Sequence, residues 1–315
     1  MSGIERKFLS VAGFALLAGS LLPWPSTASE AKRPIPDFSG PWGRNVFNME
    51  SPEAGPGPVV NLRRLGKDAG RTLVDGDIVP LVGDYNNPIL KPEAAAVVKR
   101  NGEISEAGHD FPDPSNECGA YAPPFLFAIQ LGMQIVQTKD QIVILYNQDD
   151  QVRRVRLNGS HPRNLKPTPT GDSIGHYEGD TLVVDTVGII VAPYTVADRF
   201  GTPVSEAMHV VERYRLIDGT MARDLQRRHE GNYFPGGGSS PFTNEYGRGD
   251  IDPDTAKPGL QVEITVDDPV MFTTPWQGLV TYRHAIGEWP EAVCVENMRE
   301  AGWVRHPPHA EKPDF

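Results

Sequence analysis

From Phe125 onward the chain runs in short stretches of β-branched and aromatic residues, each broken by a turn signal. Met133 to Thr138 and Gln141 to Tyr146 are rich in Ile and Val and flank Lys139-Asp140, the pattern of a hairpin. Val152 to Leu157 follows Asn147-Gln148-Asp149-Asp150 and extends the hairpin into a meander. Further strands are expected over Ile174 to Glu178, Thr181 to Val187, Ala207 to Ile217, Thr220 to Arg228, Leu260 to Val266 and Leu279 to His284. No alternation of strands with helical segments interrupts the series. The expected fold is therefore mainly β, an antiparallel β-barrel or a strongly curved sheet over residues 125–290.

Upstream, residues 29–124 are irregular and rich in Pro, Gly, Asn and Asp, and are expected to wrap a core built by later residues. One helix stands out there. Pro92 suits a first helical turn, Glu93 favours its positive end, Ala94 to Val98 propagate it, and Gly102 is expected to stop it. Between His229 and Leu260 lies a Gly- and Pro-rich stretch whose length suggests a lid over a pocket mouth or a disordered loop. Residues 291–315 form a tail.

The N-terminus changes the picture of where the protein works. Arg6 and Lys7, the apolar run Phe8 to Leu22, then Pro23 and small residues through Ala28 make the layout of a secretory signal over residues 1–28. The run is about 15 residues, short of the ~20 that span a bilayer, so a cleaved leader and a periplasmic or secreted protein without a retained membrane span are expected. In such a space Cys118 and Cys294, the only two cysteines, are expected to pair; two unpaired buried thiols are the alternative. With 30 Lys and Arg against 41 Asp and Glu, a formal charge of −11 repels a phosphate backbone, which excludes nucleic acid as a partner. An exposed edge strand would invite a homodimer.

Chemistry concentrates in two segments. If Gly179-Asp180 is a two-residue turn, Ile174, His176, Glu178, Thr181, Val183 and Asp185 share one face, and Tyr177, Leu182 and Val184 the other. His176 and Asp185 are then diagonal neighbours, either a surface pair or an imidazole poised as a base by a carboxylate. In the second segment, a hairpin expected around Asp218-Gly219, Glu212 falls among Met208, Val210, Tyr214 and Leu216 and lies diagonal to Arg223. A carboxylate on an apolar face is either ion-paired or a raised-pKa acid. His209 and Arg213 fall on the opposite, solvated face. The eight His residues form no helical metal motif, His306 and His309 lie in the tail, and no Gly-x-Ser-x-Gly elbow occurs, so neither a metal nor a cofactor is expected.

The segment Gly171 to Thr186, reading GDSIGHYEGDTLVVDT, resembles a motif of a large group of uncharacterised secreted bacterial proteins, as do Val210 to Tyr214, Asp268-Pro269 and Pro275-Trp276. The group looks richer in His and Gly than Val293 to Asn297 are here. Asp37 to Trp42 is similar to the Gly-x-Trp opening of lipocalin-type barrels, which implies an internal pocket for an apolar ligand. Together these lead to an exported barrel that accommodates a small hydrophobic molecule, with cofactor-independent lyase, isomerase or cyclase chemistry. His176 is the expected base, Asp185 its orienter, Glu212 a second proton carrier, and Tyr177 and Tyr214 hydrogen-bond donors. A non-catalytic carrier and a structural envelope protein are the alternatives.

Overall fold

A computed structural model of the chain describes residues 35–62, 80–233, 251–287 and 293–294. The signal segment, the centre of the Gly-rich stretch (234–250) and most of the tail lie outside the described residues. Nine strands close into a barrel: β1 (Gly40–Gly43), β2 (Gly132–Gln137), β3 (Gln141–Tyr146), β4 (Val152–Leu157), β5 (Asp172–Glu178), β6 (Thr181–Val187), β7 (His209–Ile217), β8 (Gly259–Asp267) and β9 (Trp276–His284). Neighbours in sequence are neighbours in the wall, and β9 returns to β1 through Trp42↔His284 and Gly43↔Arg283. Closure leaves no barrel strand without a neighbour on each side. It thus removes the open sheet edge that would invite a second copy.

Alternation along the strands builds the core, with Val183 of β6 buried on the outer face as well. Ile142, Ile144 and Tyr146 of β3, Leu182 and Val184 of β6, and Leu260, Val262, Ile264 and Val266 of β8 are all buried, with the intervening residues on the outer face. Trp42, Tyr146, Tyr214, Trp276 and Tyr282 are among the largest fully buried side chains. One rung breaks the antiparallel pattern: β4 and β5 run parallel and share only the pairs Arg156↔Ile174 and Leu157↔Gly175. With the equally short β1–β9 closure it is one of the two seams joined by only two register pairs, and it is the one parallel seam among the described strands.

Helix α1 (Pro92–Glu106) begins at Pro92 as expected but continues past Gly102. Gly102 is buried inside the helix because a Cβ there would stand 3.0 Å from Val82 Cγ1; close approach, and not termination, is its purpose. The five residues of α2 (Phe125–Ile129) are all buried. Beside them the Arg44 guanidinium, 1% exposed, donates to the carbonyls of Phe127, Gln130 and Asn48, which place acceptors around a charge inside the protein. The upstream segment is thus not only a wrapping: Gly40–Gly43 is a stave of the barrel.

Thr220 to Arg228 is not a strand but part of α3 (Gly219–Tyr233). Asp218 caps it, accepting from Met221 N at 2.9 Å, and the buried residues Ala222, Gln226 and His229 recur at helical spacing. Gly219 is required because a Cβ would fall 2.0 Å from Lys257 O and 2.4 Å from Thr255 O. The helix lies against β9 and β8, with Gln226 Nε2 donating to Gly43 O and Thr281 O. Cys118 and Cys294 form a disulfide, with Cα atoms 5.5 Å apart. Among the described residues no helix is long and apolar enough to cross a membrane.

Candidate functional site

The β5–β6 hairpin has the expected register: Glu178 pairs with Thr181, His176 with Val183 and Ile174 with Asp185, around Gly179 at φ +64°. His176 and Asp185 therefore share the outer face, but their side chains do not meet. His176 Nε2 turns to Glu178 Oε1 at 3.1 Å, with half the imidazole exposed, and Glu178 also takes Arg213 at 2.6 Å. Asp185 instead receives His161 Nε2 on one oxygen and His209 Nε2 on the other, both at 2.9 Å. His161 Nδ1 meets Asp172 at 2.7 Å, and Asp172 also accepts both terminal nitrogens of Arg156. The His209 hydrogen bond holds Asp185 below the ordinary carboxylate range, and the same bond raises His209.

On the inner face Glu212 is fully buried and paired, but not with Arg223, which lies on α3. Its partner is Arg153 of β4, 3% exposed, whose Nη1 and Nη2 donate to the two carboxylate oxygens at 2.9 and 2.7 Å. The same guanidinium donates to Ser173 and Thr186, so it spans from β4 across β5 and β6 to β7. Tyr214 Oη donates to Glu212 at 2.7 Å, and burial drives that phenol well above its ordinary value. Tyr177, half-buried, accepts from Gln137 Nε2 at 2.9 Å.

These contacts give the segment Gly171 to Thr186 a physical role. Ser173 and Thr186 hold Arg153 inside the barrel, while Asp172 and Asp185 hold Arg156 and His161 outside. Both arrays cross the short β4–β5 seam. The seam has only two main-chain register pairs, and charged side chains staple it from its two faces. Asp185 does orient imidazoles, as expected, but those of His161 and His209.

A different place combines space with titratable groups. A cleft of about 300 Å³ opens between the segment 48–61, Phe200 and the C-terminal half of α3, and none of its lining residues belongs to a barrel strand. Met49, Val59 and Phe200 form its apolar wall; Glu50, Arg228 and His229 supply the chemistry. Glu50 is fixed by main-chain bonds in both directions with Leu279 of β9, each 2.9 Å. Its side chain, 8% exposed, meets Arg228 Nε and Nη2, both 3.1 Å from the single oxygen Oε2. Burial pushes the Glu50 carboxyl above the ordinary range, against the opposing pull of Arg228. A carboxyl raised by burial beside a cation, in a cleft that an imidazole also lines, is the composition expected of an acid–base site.

Sequence reasoning missed all three residues. Arg228 and His229 are visible once α3 is read at helical period, since Ala222, Gln226 and His229 define its inner face; Glu50 carries no local signal. Among the described residues no three of His, Cys, Asp and Glu converge as metal ligands. No family model, curated protein or solved structure matches the chain.

Proposed function

We propose that this is an exported β-barrel protein that accommodates a small, mainly apolar molecule and moves protons on it without a cofactor, in an elimination, isomerisation or cyclisation. The work is assigned to the cleft beside α3. Glu50 is the proton carrier, Arg228 its charged neighbour and His229 a second polar contact, while His176, Asp185, Glu212, Tyr177 and Tyr214 maintain the barrel. The observation that carries this reading is a carboxyl raised by burial in a cleft of about 300 Å³, at the lower end of the size range of small-molecule sites. The disulfide and the leader-like N-terminus support an oxidising compartment. The segment Gly171 to Thr186 is a fold signature shared with the secreted bacterial group it resembles.

The Glu50–Arg228 contact also favours a second reading, a carrier in which the pair only shapes the cleft. Native mass spectrometry of the full chain purified from its own compartment, with extraction of what it retains, tests the site. A retained molecule lost on Val60→Trp, which sets an indole across the cleft, is the expected result. Retention unaffected by that substitution would overturn the assignment, and binding without turnover would identify the carrier.

A further inference from the structure

The substrate class of the cleft follows from which of its hydrogen-bonding atoms are already used, and this inference rests on the reading above. A guanidinium carries five N–H donors in a planar fork. Arg228 directs Nε and Nη2 at the same oxygen, Oε2 of Glu50, which leaves its remaining donors and Glu50 Oε1 without a partner among the described residues. Arg228 is half-exposed and lines the cleft, and Glu50 is held by the wall. Next to this pair stand Met49, Val59 and Phe200, which offer no polar partner from their side chains. At the Glu50–Arg228 pair the site thus presents one fork of cationic donors and one carboxylate oxygen against an apolar floor, while Ser51, Glu53 and His229 also line the cleft.

We infer that the cleft takes an apolar molecule bearing an enolisable carbonyl, with the carbonyl oxygen on the free N–H groups of Arg228 and the adjacent C–H facing Glu50 Oε1. Glu50 removes the proton; the C–H electron pair becomes the carbon–carbon double bond of the enolate, and the carbonyl π pair moves to the oxygen held by Arg228. Return of the proton to a different carbon isomerises the molecule. Departure of a group from the next carbon, with its electron pair and the proton that Glu50 returns to it, eliminates it. Neither outcome needs an oxidant, a reductant or a metal, and Glu50 ends each cycle in the state in which it began. A carboxyl raised by burial is a stronger base when ionised, which suits it to this task.

The test uses 2-tetralone and its carbonyl-free analogue tetralin as probes of the full chain, with affinities from ligand-observed NMR and deuterium exchange at C1 of 2-tetralone followed in heavy water. Expected is at least tenfold tighter binding of 2-tetralone than tetralin, the factor given by a hydrogen bond to a charged group. Arg228→Gln should remove that preference, Arg228→Lys should keep part of it, and exchange above the buffer rate should disappear in Glu50→Gln. Equal binding of the two probes, or a preference that survives Arg228→Gln, overturns the inference while leaving the cleft as a site. Binding of neither probe, or binding indifferent to Val60→Trp, counts against the cleft itself.

Discussion

Replacing Glu212 tests how the barrel is held at its short parallel seam between β4 and β5. In Glu212→Leu the Arg153 guanidinium loses two charge-assisted bonds of 2.9 and 2.7 Å and remains buried with only the Ser173 and Thr186 hydroxyls, and Tyr214 Oη loses its acceptor. Breaking a buried pair by removing one partner costs about 3–5 kcal/mol, and an orphaned buried hydroxyl adds about 1–3 kcal/mol. The expected loss of about 4–8 kcal/mol is a large part of the ~5–15 kcal/mol that stabilises a folded protein. Arg153→Met combined with Glu212→Leu removes both charges and should recover most of that loss, since apolar replacement of a buried pair is often neutral. Urea unfolding followed by tryptophan fluorescence and far-ultraviolet circular dichroism, with unchanged slope, measures both variants. A Glu212→Leu protein within about 1 kcal/mol of the native one, or a double variant as unstable as the sum of its singles, would refute the reasoning.

Three further outcomes are expected. Asp198 is wholly buried and pushed up to about 6 by burial, so the native state holds its proton at a pH where the unfolded chain has lost it; this penalty is absent below about 4 and complete above about 6. Asp198→Asn should therefore raise stability at pH 7 by up to about 3 kcal/mol and change little at pH 4, as read by urea midpoints at the two pH values. On the outer face, the raised His209 contributes stability that is full below the ordinary imidazole value and fades as pH rises through its shifted value, whereas the lowered Asp185 contributes above the ordinary carboxylate value and fades in acid. Amide exchange at Leu157 and Gly175 should accordingly be slowest, relative to intrinsic rates, in mildly acidic solution, and His209→Ala should flatten that dependence. The disulfide closes a separation of 176 residues, for which the chain-entropy relation gives about 5 kcal/mol as an upper figure; Cys118→Ser with Cys294→Ser should lower the thermal midpoint measured by calorimetry.

Most of the barrel was legible because alternation and turn chemistry agree. Gly179-Asp180 fixes the β5–β6 register, and with it the face of every residue from Ile174 to Asp185. Asp218-Gly219 misled for a physical reason: the same two residues that suit a hairpin turn also suit a helix N-cap, and Gly219 is demanded by the backbone of Thr255 and Lys257, which no local reading reveals. The inward direction of Glu212 was legible, but its partner was not, because Arg153 stands 59 residues away on a strand whose polar pattern alone does not show which arginine turns inward. β1 is only four residues long and lacks a usable period. The cleft was the least legible feature: Glu50 comes from an irregular segment and Arg228 from a misread one, and only tertiary packing brings them together.

The most direct measurement is conversion of the molecule extracted from the native protein, followed by mass spectrometry with the purified wild type, Glu50→Gln and His176→Ala chains side by side. Conversion by the wild type and by His176→Ala, with loss in a folded Glu50→Gln protein, is the expected result. Conversion that survives Glu50→Gln, or that disappears in His176→Ala, would contradict the assignment of the chemistry to the cleft.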